Sequence, residues 1–192
     1  MAELKISSHK NELRSIIKQR EKNLEAVKKA QWDENIFSHF LKVFDHLPEK
    51  EKTIVYCYVS CKKEADTRKI LEYLWKQNIR TAVPRVQEKE MEFYEITGFF
   101  DLEPGYYGIL EPVKSCPLAK EPKAVMIVPG AGFSPDKSRL GRGGGFYDRF
   151  LKKEPMHKKL AVAYEYQMFS QIPVEKHDVR MDVVITEKQI YF

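Results

Sequence analysis

The chain has 192 residues, 43% hydrophobic and 12% aromatic, enough for one sizeable core and too apolar for a disordered polypeptide. Its 33 Lys and Arg against 28 Asp and Glu leave a formal charge of +5, spread along the chain and not gathered into a basic stripe; this favours a small anionic ligand over nucleic acid. No apolar run is long enough to span a membrane, the opening MAELKISSHKNELR lacks the apolar core of a secretion signal, and Cys57, Cys61 and Cys116 form no CxxC motif, so a reduced cytoplasmic protein is expected.

From about Ser8 to Leu47 the apolar spacing is helical: Leu13, Ile16, Ile17 and Arg20 share one face, and Ile36, Phe40, Leu41 and Phe44 another. The stretch QWDEN between them, with Asp33 as a cap, predicts two helices. TIVYCYV (Thr53–Val59) reads as a buried strand, ADTRKILEYLWKQN as a helix, IRTAVPRV as a strand and the alternating MEFYEI as another. Residues 97–121 are punctuated by Gly and Pro and too long for a simple connection, which marks them as a functional loop. AVMIV is the most apolar strand; KLAVAY, MDVVITE and a final hairpin strand in KQIYF complete the series. Strands alternating with helices, several of them continuously apolar, predict an α/β fold: a single three-layer domain over 1–192 with a largely parallel sheet and helices on both faces. Cys57 and Cys61 are expected as core fillers, and His9 and His157 as exposed; the histidines form no ligand cluster.

In such a sheet, ligands gather beyond the carboxyl ends of the strands. The segment after AVMIV, PGAGFSPDKSRLGRGGGFYDRFL, lies there, and four of the five residues Gly141–Gly145 are glycine. Glycines allow positive φ and let successive N–H groups converge on an anion. The FYDRFL that follows reads as a helix start, which favours negative charge. Arg139 and Arg142 can contact phosphate oxygens, and Asp148 can hold Mg²⁺. A flexible turn flanked by solvated arginines would have the same composition. It is neither a Walker A loop nor a dinucleotide fingerprint, and GAGFS is not a nucleophile elbow.

These residues also carry a resemblance. Pro129–Leu151 meets every fixed position of PGxxFxxxxxRLGxGxGxYDxxL, the signature of the 5-formyltetrahydrofolate cyclo-ligases, also called 5,10-methenyltetrahydrofolate synthetases. KNELR (Lys10–Arg14), YVSCKKEADT, GYYGILEP and HDVRMDVVITE resemble further family segments in the same order. The resemblance implies an ATP- and Mg²⁺-dependent enzyme of one-carbon metabolism that phosphorylates the formyl oxygen of its substrate. N10 then attacks the activated carbon and phosphate leaves.

By that resemblance Lys10, Asn11, Glu12, Leu13 and Arg14, with Arg139, Leu140, Gly141, Arg142, Gly143, Gly144, Gly145, Phe146 and Tyr147, would bind ATP. Val59, Glu64, Tyr107 and Tyr147 would bind the folate. Arg142 and Tyr147 would act at the reacting centre, and Asp148 with Asp182 would hold Mg²⁺. Taken without the family, Lys10 and Arg14 are a solvated helix face, Glu64 is equally a helix-start charge, and Asp182 is an ordinary aspartate at the start of a strand. Some relatives have lysine where this chain has Gly144, and tyrosine where it has Phe146. Expected partners are 5-formyltetrahydrofolate, with basic residues near the cleft favouring polyglutamate tails, and ATP, with no nucleic acid or membrane. The rival readings are a non-catalytic nucleotide- or RNA-binding module using the Arg/Gly loop, and a sugar-phosphate isomerase on a similar fold.

Overall fold

A computed structural model describes residues 2–48, 52–61, 63–105 and 108–192. Two helices open the chain, α1 (Ala2–Lys22) and α2 (Ala26–Asp45). They part at Asn23–Glu25 and not at QWDEN, which lies inside α2. Asp33 is therefore no cap. Its carboxylate accepts the Tyr164 hydroxyl at 2.7 Å and the Asp66 N–H at 3.1 Å, and pairs with Lys29 one turn earlier at 2.7 Å. The polar cluster that reads as a helix break is a tertiary anchor.

The centre is a seven-stranded sheet built from β1 (Ile54–Cys57), β2 (Arg80–Gln87), β3 (Glu90–Ile96), β6 (Val125–Val128), β9 (Lys158–Val162), β10 (Val183–Ile185) and β11 (Ile190–Tyr191). The order is β11-β10-β9-β6-β1-β2-β3. The five inner strands run parallel, and β3 and β11 close the edges antiparallel. Alternate residues of β1 serve two cores. Val55 and Cys57 pack with α2 and with α3 (Arg68–Lys76); Ile54 and Tyr56 pack with Phe150 and Leu151 of α4 (Phe146–Lys153). Burial on both faces is why these strands read as unbroken apolar runs. The α/β class with helices on both faces is borne out.

Several predicted edges shift for local reasons. The first strand ends at Cys57, because Thr67 Oγ1 donates to the Tyr58 carbonyl at 2.6 Å and accepts the Ser60 N–H at 3.1 Å, using groups a longer ladder would need. The chain at 97–121 is not structureless: β4 (Leu102–Pro104) and β5 (Leu110–Pro112) form a small hairpin beside β2. A second small hairpin joins β7 (Gly132–Phe133) to β8 (Arg139–Leu140). Its turn is held by the Asp136 carboxylate, which accepts both the Ser134 and Ser138 hydroxyls. His157, expected at the surface, is 2% exposed and stacks on Phe150 beside Tyr56. Cys57 is buried as expected, but Cys61 is exposed. Among the described residues no helix is long and apolar enough to cross a membrane.

Candidate active site

The sheet order turns around β1. From β1 the chain proceeds to β2 on one side, while β6 enters on the other, so the loops leaving the carboxyl ends of β1 and β6 diverge and leave a crevice. A cavity of about 250 Å³ occupies it. Tyr58, Val59 and Glu64 come from the loop after β1, and Pro129 follows β6. Pro84, Val86 and Met91 supply an apolar side wall, and Ile109, Leu110 and Glu111 descend from the β4–β5 hairpin. The remaining wall is Cys61 beside Glu64, Arg139, and the glycine loop with the first turn of α4, through Gly141, Arg142 and the run from Gly144 to Asp148.

In that loop Gly143 and Gly145 have φ of 111° and 67°, the left-handed region where a side chain is strained. Nothing within 4 Å would meet a Cβ at Gly143, so its glycine serves conformation and not space. Gly145 is the N-cap of α4 and has no side chain with which to cap it. The first N–H groups of the helix therefore remain available beside the cavity.

Arg139 begins the loop buried, with its side chain 3% exposed. Its Nη2 meets Asp148 Oδ1 at 2.6 Å and its Nη1 donates to the Pro129 carbonyl at 3.1 Å. This guanidinium fastens the start of the loop to both α4 and the end of β6. Arg142, at the loop's crest, is 47% exposed at its side chain. Its Nε donates to Glu64 Oε1 at 3.2 Å, and Nη1 lies 3.8 Å from Glu21 Oε1. The other oxygen of Glu64 accepts the Cys61 N–H at 2.9 Å.

Tyr147 lines the cavity with a buried hydroxyl that has no hydrogen-bond partner among the described residues. Burial pushes this phenol well above its ordinary pKa, with the charge of Glu64 adding to the effect. A phenol kept protonated in this way is suited to donate a hydrogen bond. Phe93 meets its ring edge-on at 6.4 Å.

The N-terminal group divides. Arg14 reaches the loop, donating from Nε to the Gly141 carbonyl at 2.8 Å while Nη1 donates to Asn11 Oδ1 at 2.7 Å. Leu13 packs on Leu140. Glu12 is exposed. Lys10 is buried between Glu175 at 2.7 Å and Asp178 at 2.6 Å. Burial opposes its charge, but the hydrogen bonds to Asp178 and Glu175 prevail and raise its pKa. Lys10 thus ties α1 to the segment before β10.

The expected carboxylate pair is not brought together. Asp148 lines the cavity with Oδ1 committed to Arg139. Asp182 stands before β10 at the amino ends of the parallel strands, accepting the Lys159 N–H at 2.6 Å and pairing with its ammonium at 3.3 Å. It faces a separate cavity with Lys123 and Lys158. The strand it precedes runs toward the site; Asp182 is at the wrong end of it. A Mg²⁺ site made of both residues does not fit this fold. Tyr107 lies outside the described residues.

Besides the apolar walls, two polar lining residues were not expected, Glu111 and Cys61. Glu111 sits in GYYGILEP but has no distinguishing spacing, and Cys61 reads as a core thiol. Glu21 does not line the cavity but approaches Arg142 from α1, and it reads in the sequence as one more charge on a helix face.

Sheet order, crevice and glycine loop together define a doubly wound α/β ligand-binding protein. The chain belongs to the 5-formyltetrahydrofolate cyclo-ligase family, an enzyme family whose sequence profile matches residues 6–187. It is 29% identical to the mouse 5-formyltetrahydrofolate cyclo-ligase, covering 97% of this chain and 98% of that one. It is 32% identical to the mitochondrial enzyme of Arabidopsis thaliana, covering 94% and 75%. Among solved structures, the 5,10-methenyltetrahydrofolate synthetase of Aquifex aeolicus superposes with a TM-score of 0.79 at 32% identity, covering 94% of this chain and 91% of that one. The synthetase of Mycoplasma pneumoniae gives 0.72 at 25% identity, covering 93% and 98%. The resemblance read from the loop signature is borne out.

Proposed function

We propose that the protein converts 5-formyltetrahydrofolate to 5,10-methenyltetrahydrofolate, with ATP cleaved to ADP and phosphate. An N-formyl group is amide-like and a poor electrophile. Transfer of the γ-phosphoryl group to its oxygen turns that oxygen into part of a leaving group. N10 then attacks the formyl carbon and loses its proton. The C–O bond breaks with release of phosphate, and a conjugated N5–CH–N10 amidinium remains. The protein's task in such a sequence is positioning and charge neutralisation.

The observation that carries this reading is that the glycine loop and Glu64 face one crevice from opposite sides, with Arg142 bridging them. The carboxylate of Glu64 is suited to accept the paired N–H donors of a pterin edge, with Val59 and the apolar wall of Pro84, Val86 and Met91 against the ring. The amides of Gly143–Gly145 and the start of α4 suit the nucleotide phosphates, with Arg14 holding the loop from behind. Arg142 would neutralise the phosphoryl group in transfer. Tyr147 would donate its unpartnered hydroxyl to the reacting oxygens. Mg²⁺ would enter as part of the Mg·ATP substrate and not on a two-aspartate protein site. Tyr107, next to the cavity's hairpin in sequence, would cover the folate.

The reaction has an optical signature, because the amidinium absorbs at longer wavelength than the formyl compound. Protein, 5-formyltetrahydrofolate and Mg²⁺ should give a flat trace that rises only when ATP is added. A flat trace after ATP, on protein shown to bind ATP, refutes the proposed reaction. Asp182→Asn should leave turnover and its Mg²⁺ dependence within about twofold, since the substitution is remote from the cleft. A lost or strongly shifted Mg²⁺ response would return Asp182 to the metal.

A further inference from the structure

Glu21 occupies the last turn of α1, where the helix dipole disfavours negative charge. Its side chain is only 6% exposed, and Oε1 has no hydrogen-bond partner among the described residues. A buried carboxylate in this state is costly, and an apolar residue of similar size would serve packing better. The nearest cation is Arg142, whose Nη1 lies 3.8 Å from that unpartnered oxygen. Close by, the phenol of Tyr166 is also buried without a partner, and burial followed by the charge of Glu21 raises its pKa. Neither group lies in the glycine-loop signature or in the short segments KNELR, YVSCKKEADT, GYYGILEP and HDVRMDVVITE.

Arg142 is thus held between two carboxylates on different elements, Glu64 from the loop after β1 and Glu21 from α1. Nε donates to Glu64, Nη1 lies within ion-pair range of Glu21, and Nη2 has no partner among the described residues. A long side chain that is half exposed has many conformers of similar energy. Two opposed anions restrict it far more than one.

We propose that Glu21 is a positioning residue, orienting Arg142 so that Nη2 is presented to the phosphoryl group in transfer. The inference rests on the reading of Arg142 given above. Without Glu21, Arg142 has Glu64 as its one anionic partner among the described residues. The guanidinium then moves onto the folate-binding carboxylate and away from the phosphate. Arg142 loses its catalytic geometry, and Glu64 becomes harder to reach.

The test is a double-mutant cycle of Glu21→Met with Arg142→Ala, followed by kcat, folate KM and thermal melting. Glu21→Met should melt at or above the wild-type temperature while kcat falls about tenfold and folate KM rises, an orientation effect on a transition-state contact. Combined with Arg142→Ala, it should cause no further loss. A merely structural carboxylate would lower stability and activity together. Wild-type kcat in Glu21→Met, or the same factor lost in both backgrounds, overturns the inference. If Glu21→Met does not fold, the isosteric Glu21→Gln takes its place in the same cycle. Full turnover by Arg142→Ala alone would instead remove the phosphoryl role of Arg142, and the positioning role with it. A defective Arg142→Ala with an additive Glu21 effect would sink only the latter.

Discussion

Asp148→Ala should lower the unfolding free energy by about 3–5 kcal/mol, the usual consequence of removing one partner from a buried ion pair. Arg139 is 3% exposed at its side chain and Asp148 15%, so solvent cannot replace the lost carboxylate at 2.6 Å. Arg139 Nε is already without a partner among the described residues, which leaves the guanidinium with one hydrogen bond there, to the Pro129 carbonyl, and the face of the Tyr147 ring. Turnover should fall as well, by about 10²-fold, because misplacing catalytic groups by an ångström has that effect. The pair joins the first residue of the loop segment to the first turn of α4, so without it the loop keeps only the contacts from Arg14 to the Gly141 carbonyl and from Arg149 to the Gly144 carbonyl, and the glycine amides are less firmly placed. Asp148→Asn keeps an acceptor oxygen and should retain more of the stability than Asp148→Ala. The measurement is a urea midpoint beside the absorbance assay. A wild-type midpoint for Asp148→Ala would show that the pair contributes nothing and would free Asp148 to serve a metal.

This outcome bears on what a single sequence can convey. The strand Val125–Val128 and the glycine-rich segment after it were legible together, because buried parallel strands and left-handed glycines impose local composition. From them followed the class of sheet, the end of it where a ligand sits, and the family. The residues whose surroundings the sequence does not convey are those with partners far along the chain. Lys10 looks free on its helix, yet it is matched by Glu175 and Asp178, about 165 positions away. Asp33 resembles a cap because its neighbours are polar, and only the folded chain brings Tyr164 to it. Asp182 lies in a segment that resembles the family's, but it precedes its strand, at the end of the sheet opposite the one where ligands gather. Glu21 has no local mark at all. Charge on a helix is written in the sequence; burial of one carboxylate against a distant arginine is written only in the packing.

Arg142→Ala should reduce turnover by about 10²–10³, the range for deleting one preorganised contact to developing charge. With 47% of its side chain exposed, Arg142 contributes little to packing, and the melting temperature should hardly move. The informative quantity is folate affinity. Arg142 engages Glu64 at 3.2 Å, and on the proposed reading folate would compete for the same carboxylate. A half-exposed pair of this kind is worth at most about 1 kcal/mol, a factor of about five. Arg142→Ala should therefore bind 5-formyltetrahydrofolate as tightly as wild type, or up to about fivefold more tightly, while failing to convert it. Arg142→Lys restores a charge but not the planar fork that spans two partners, so it should recover only part of the rate. Binding followed by fluorescence quenching, with turnover on the same samples, separates the two effects. Equal losses in affinity and rate would place Arg142 against the bound folate itself. Turnover within threefold of wild type would remove it from phosphoryl transfer, and the bridge to Glu64 would then be a surface ion pair that happens to cross a cleft.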